Sequence, residues 1–141
     1  WRKKLPLARI MDMGAPSIAL GYAVARIGCF LNGCCAGHYT TLPWGVDFGD
    51  GPRHPTQLYA IGANLIIFLI LHRQEKSKPF EGYLMLLYLV LYATYRFIIE
   101  FFRESPLVTS WLTLGQLISI IIGITALLAI LYFRPKKYLP K

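Results

Sequence analysis

Four runs of mainly apolar residues, roughly 10–31, 57–71, 82–102 and 112–133, leave this 141-residue chain few ways to fold. A helix needs about 20 such residues to cross the hydrocarbon core of a bilayer, where every backbone polar group must be satisfied internally. The second run is short, but it reaches across if its start near Tyr59 sits at the headgroup level, where aromatic side chains are favoured. With 55% hydrophobic and 16% charged residues, the expected fold class is all-α. The chain reads as a polytopic integral membrane protein with four transmembrane helices.

Lysine and arginine set the expected orientation. Arg2, Lys3 and Lys4 precede the first run, Arg73, Lys76 and Lys78 lie between the second and third, and Arg134, Lys136, Lys137 and Lys141 follow the fourth. By the positive-inside rule these places, including both ends of the chain, are cytoplasmic, and the two other connections face outward. The same distribution accounts for the net charge of +8 without nucleic acid, for which no recognition motif is present. The chain begins at Trp1, and no cleavage site of small residues follows the first apolar run, so the expectation is a single membrane domain over 1–141 belonging to a longer protein.

Ionisable groups interrupt this apolar background. A charge at bilayer depth is costly and is usually kept for function, which singles out Arg26 and Arg96. Arg96, Glu100 and Arg103 stand at i, i+4 and i+7, on one face of a helix, with Tyr92 and Tyr88 continuing the stripe. At 1.5 Å per residue, Arg96 lies about 10 Å below the outward end of that helix. Glu100, between two arginines, reads as the partner that orients them. Arg103, at the boundary, fits simple snorkelling equally well. The connection over 37–59 is rich in glycine and proline and ends at His54 and Gln57. Arg26, Asn32, His54, Gln57, Arg96, Glu100 and Arg103 therefore converge on the outward leaflet. Two arginines offering planar donor arrays at headgroup depth match a phosphate ester, and an outer-leaflet phospholipid is the expected ligand.

Three thiols lie beside this set. Cys29, Cys34 and Cys35 fall on the outward side, where disulfides are permitted, and Cys29 can meet Cys34 if the helix ends between them. An outward-facing thiol redox or metal-binding membrane protein is the alternative they support. The metal signal is weak, since no second cysteine pair occurs and His38 is the one further ligand nearby, so no metal site and no cofactor are assigned.

Four motifs carry a resemblance to a known family. They are Arg-Ile-Gly-x-Phe-x-Asn-Gly-x-x-x-Gly at 26–37, Arg-His-Pro-Thr-Gln-Leu-Tyr at 53–59, Tyr-Arg-Phe-Ile-Ile-Glu-Phe-Phe-Arg-Glu at 95–104 and Leu-Thr-Leu-Gly-Gln at 112–116, with Asp12 and Pro16 ahead of the first. In this order they resemble the prolipoprotein diacylglyceryl transferase family, of which the chain corresponds to the C-terminal part. The resemblance implies transfer of the diacylglyceryl group of phosphatidylglycerol to the lipobox cysteine thiol of a bacterial prolipoprotein signal peptide, with release of glycerol phosphate. It implies a multi-pass protein of the bacterial cytoplasmic (inner) membrane, with its active site toward the outer leaflet.

The leaving phosphate needs preorganised donors, and Arg26 and Arg96 are the choices for that role. Glu100 and His54 complete the expected catalytic set. Gly28, Asn32, Gly33, Gly37, Gln57, Tyr59, Tyr92 and Arg103 are expected to bind substrate, although the glycines, Asn32 and Gln57 also suit turns and close helix packing. His54, before a proline at a loop end, suits a structural cap as well as it suits catalysis. Cys29 and Cys34 depart from the family pattern, which usually has asparagine and glutamate there. A non-catalytic lipid-binding relative is the remaining alternative.

Overall fold

The computed structural model describes residues 6–106, 108 and 111–133. The terminal basic residues Arg2, Lys3, Lys4, Arg134, Lys136, Lys137 and Lys141 lie outside them. Four helices are long and apolar enough to span a membrane: α1 (Leu7–Leu31), α2 (Thr56–Gln74), α3 (Tyr83–Ile99, continued by a 3-10 turn over Glu100–Phe102) and α4 (Leu114–Phe133). The chain is a multi-pass membrane protein. α2 runs past the expected end at residue 71, since His72 and Arg73 favour the negative pole of a helix C-terminus and prolong it by most of a turn.

Between α1 and α2 the connection contains a small hairpin that alternation could not have revealed. Strands β1 (Val46–Asp47) and β2 (Pro52–Arg53) pair antiparallel, with Val46 opposite Arg53. Two residues are too few for a period of two to show. The turn is made by the Asp47 carboxylate, which accepts the N–H groups of Gly49 at 2.8 Å and Gly51 at 2.9 Å. These bonds hold the Asp47 carboxyl below its usual pKa. Both glycines have strongly positive φ, which L side chains rarely adopt.

The helices pack through small residues. Ala15, Ala19 and Ala23, four apart, form the buried stripe of α1, and Ala60 is its buried counterpart on α2. In a bilayer the apolar effect between helices is absent, so close approach of small side chains supplies the attraction. Ile67, Leu71, Leu84 and Tyr88 fill the core beside this stripe. α4 packs on α3, where a side chain at Gly123 would come within 3.3 Å of Ala93 Cβ. Large residues such as Ile66, Leu128 and Tyr132 remain exposed on the rim, as a lipid-facing surface requires.

A buried carboxylate ties the start of α3 to α1. Asp12, 1% exposed, accepts the N–H groups of Gly82 at 2.8 Å, Leu84 at 2.8 Å and Met85 at 3.2 Å, and pairs with Lys78 at 3.0 Å. A helix begins with unsatisfied N–H groups, and here a side chain from another helix caps them. Asp12→Ala is expected to lower unfolding stability by about 2–4 kcal/mol. Denaturation in mixed detergent micelles measures it, and Asp12→Asn should lose less.

Candidate functional site

The end of the bundle where α1 finishes, α2 begins, α3 finishes and α4 begins collects every candidate residue. α1 closes on a left-handed glycine. Gly33, with φ +65°, lets the N–H of Cys34 bond the Cys29 carbonyl at 3.1 Å while its own N–H bonds the Phe30 carbonyl at 3.1 Å. This pair of bonds is a Schellman cap. Asn32 is the exposed C-cap residue, and its N–H bonds the Gly28 carbonyl at 3.0 Å. Gly28 is exposed, and a Cβ there would meet nothing within 4 Å.

The loop then folds back over α2 and α3. Gly37 N–H bonds the His54 carbonyl and His38 N–H bonds the Phe102 carbonyl, each at 2.9 Å. A Cβ on Gly37 would fall 2.1 Å from the Phe102 carbonyl oxygen, so only glycine fits. Thr56 Oγ1 donates to the Cys35 carbonyl at 2.7 Å and Gln57 Nε2 to the Cys34 carbonyl at 2.6 Å. Gln57 Oε1 is buried with no partner among the described residues. Arg53 bonds the Gly37 carbonyl at 3.2 Å, pairs with Asp50 at 2.6 Å and stacks 3.9 Å from the Tyr39 ring centroid. Arg53 in turn holds the Asp50 carboxyl below its usual pKa.

The two intramembrane arginines stand on either side of a tyrosine cluster. Arg26 donates to the Tyr22 hydroxyl and lies 4.8 Å from that ring's centroid, within electrostatic reach of Tyr95. Tyr22 meets Tyr92 edge to face at 5.5 Å, and Tyr92 feels the charge of Arg96. Arg96 pairs with Glu100, which is 4% exposed. The other Glu100 oxygen accepts from Thr113 Oγ1 at 3.0 Å.

Thr113 is itself held by a capping box at the start of α4. Its N–H bonds Gln116 Oε1 at 3.0 Å and its hydroxyl accepts the Gln116 N–H at 3.2 Å. A Cβ on Gly115 would come within 2.7 Å of Glu100 Oε1 and 3.1 Å of Arg96 Nη2. The ion pair thus occupies the space that this glycine leaves. Arg103 departs from the expected helical face: the chain tightens to 3-10 at Glu100 and is extended at Arg103, with φ −112° and ψ 145°.

Two cavities open beside these groups. An apolar groove of about 680 Å³ runs between α2 and α3, walled by Ile66, Ile70, Leu91 and Ile98, with His54, Tyr59 and Tyr95 on its lining. Within it the Tyr59 hydroxyl accepts from Trp44 Nε1 at 3.0 Å and lies 3.2 Å from His54 Nδ1. A polar pocket of about 520 Å³ is lined by Glu100, Arg103, His38, Thr113 and Gln116. Tyr95, on the lining of the apolar groove, lies within electrostatic reach of Arg26, while Glu100 and Arg103 line the polar pocket.

The sequence model of a family described as prolipoprotein diacylglyceryl transferase matches residues 1–132. The chain belongs to this family. It is 40% identical over 138 residues to a phosphatidylglycerol–prolipoprotein diacylglyceryl transferase of Campylobacter hominis, covering 92% of this chain and 50% of that protein. Enzymes of the same name from Wolinella succinogenes and Aliarcobacter butzleri are 38% and 41% identical, over 91% and 86% of this chain and 49% and 47% of theirs. The chain thus spans about half the length of the curated relatives it matches.

Within this member of the family, sequence reasoning missed the supports of the site. Tyr22 stands four residues before Arg26, the ordinary spacing of neighbours on a helix, and could have been found by that rule. Thr113 and Gln116 carry the capping-box spacing. Gly115 and Arg53 act through tertiary contacts that no local pattern announces. Gly115→Ala is expected to displace the Arg96–Glu100 pair and to destabilise the fold. In a Glu100→Ala background the same change should cost about 1–3 kcal/mol less, as expected for residues in contact. A double-mutant cycle measured by denaturation checks the coupling, and additive costs would disprove it.

Proposed function

We propose that the full-length protein transfers the diacylglyceryl group of phosphatidylglycerol to the lipobox cysteine thiol of bacterial prolipoproteins and releases glycerol phosphate. Family membership supports this reading. The observation that carries it is the placement of Arg26 and Arg96 on one tyrosine cluster, beside an apolar groove. The substrate has the complementary form, a phosphodiester joined to two acyl chains.

In the proposed reaction the thiol sulfur attacks the glycerol carbon that bears the phosphate. A carbon–sulfur bond forms, the carbon–oxygen bond breaks, and the phosphate departs with the bonding electrons. Arg26 and Arg96 hold the charge that gathers on the departing oxygen, as preorganised donors do in other transfers. Glu100 keeps Arg96 in position, and its own second oxygen is occupied by Thr113. His54, on the groove lining, is assigned to proton exchange with the incoming thiol, whose ordinary pKa leaves it mostly protonated at neutral pH. Gln57, Tyr59, Tyr92 and Arg103 are assigned to the lipid, with Gly28, Asn32, Gly33 and Gly37 shaping the backbone around it.

The orientation is proposed on the same footing. Arg73 and Lys78 lie at the end of the bundle opposite the site, and the positive-inside rule places that end in the cytoplasm and the site toward the outer leaflet of the inner membrane.

Arg96→Ala in the full-length protein is expected to destabilise the fold by leaving Glu100 unpaired, and to lower transfer per folded, membrane-inserted molecule at least about 100-fold. Arg96→Lys should recover little of it, since an ammonium cannot offer the planar donor pair. The measurement uses phosphatidylglycerol vesicles and a lipobox peptide, with mass spectrometry of the peptide and assay of glycerol phosphate. Undiminished transfer by Arg96→Ala removes it from the site.

A further inference from the structure

Cys29, Cys34 and Cys35 have no part in the site above, yet the fold brings them together. The Schellman cap explains why. Such a cap sets the side chain two residues past the C-cap against the one three residues before it, and in this helix those are Cys34 and Cys29. Cys35 follows with φ 65°, a left-handed turn that returns its sulfur to 3.8 Å from Cys34 Sγ. All three Sγ atoms lie within 4.8 Å of one another.

The backbone beneath them is pinned at each point. Cys34 donates to the Cys29 carbonyl, while its own carbonyl and that of Cys35 accept from Gln57 and Thr56. A metal–sulfur bond of about 2.3 Å places the sulfurs of a trigonal set about 4.0 Å apart, close to the spacing already present. Cys35 is exposed and gives an entry path, and Cys29 and Cys34 are half-buried.

We propose that Cys29, Cys34 and Cys35 form a three-thiolate site for a soft monovalent cation of the copper(I) type. Thiolates select soft metals, and three donors favour a cation content with three-coordinate sulfur over zinc, whose structural sites take four ligands. No other His, Cys, Asp or Glu among the described residues joins the group, and His38 instead approaches Glu104 at 3.7 Å. Each thiol releases its proton to solvent as it binds. The resulting complex carries a net charge of −2, and Arg26, one turn before Cys29 and in electrostatic contact with it, offsets part of that charge. The geometry of the three thiols carries this site whether or not the transfer reaction takes place, although the two share the charge of Arg26.

The test uses the reduced full-length protein in detergent under anaerobic conditions, with copper(I) supplied through bicinchoninate as a competing chelator. The expected result is one copper(I) per chain, with X-ray absorption showing three sulfur neighbours at about 2.3 Å. Cys35→Ser, a near-isosteric change at an exposed position, removes one of three donors and should weaken binding about 100-fold, with its fold checked in the same way as that of the triple variant. The triple serine variant should abolish it, with fold checked by circular dichroism and gel filtration. Failure of the folded wild type to compete with the chelator would overturn the proposal. So would two sulfur neighbours, unchanged binding by Cys35→Ser, or tighter binding of zinc than of copper(I) in the same competition.

Discussion

Glu100 is a carboxylate at 4% exposure, at the end of a membrane-spanning helix, and much of the site end is arranged to balance it. A buried charge without partners is unaffordable at that depth, and removing one member of such a pair is strongly destabilising. Arg96 answers it from one turn earlier on α3, and Thr113 answers it from the start of α4. The second partner has consequences of its own. Thr113 can reach Glu100 only because the capping box with Gln116 fixes it, and α4 can come close enough only because Gly115 has no side chain. One acid therefore sets where α4 begins and how near it lies to α3.

The same helix end supplies a partner for the loop. α3 tightens to a 3-10 turn at Glu100, and the carbonyl of Phe102, left without a helical partner, accepts the N–H of His38. Beside it Gly37 bonds the His54 carbonyl, and Thr56 and Gln57 take the carbonyls at the end of α1. Loop backbone near a bilayer cannot depend on water for all its hydrogen bonds, and here much of it is satisfied by the helix ends it connects. Residues that flank the site are thereby also its frame. His54, for example, lines the groove with its ring while its carbonyl anchors the loop.

How much of this was legible depended on whether the cause was local. The four helices followed from runs of apolar residues, and their ends were close because basic and aromatic residues mark them. The family was legible in four short motifs. Arg26, Arg96 and Glu100 stood out because charge is rare in such runs. The hairpin was hidden by the brevity of its strands, and the break at Arg103 by the assumption that helical phase continues past Glu100. Asp12 was visible only as a residue ahead of the first motif. Its use as a cap for α3 depends on a contact spanning 70 residues, which no spacing rule contains. Gly115 is similar: its meaning is the volume of a side chain on another helix.

The two arginines are not equivalent, and their surroundings divide the work. Arg96 has a full carboxylate partner, so its positive charge is largely answered within the protein. Arg26 has the hydroxyl and the ring of Tyr22, and among the described residues no carboxylate. Tyrosine rings attract a cation without neutralising it. In the proposed reaction an arriving phosphodiester therefore meets most of its unspent positive potential at Arg26. Arg96 contributes fixed donors whose direction Glu100 and Thr113 have already set. A site built from two equally free cations would repel itself and snorkel toward water. One paired and one unpaired cation, joined by the Tyr22–Tyr92 contact, hold their places at bilayer depth and still leave a charge for the lipid to answer.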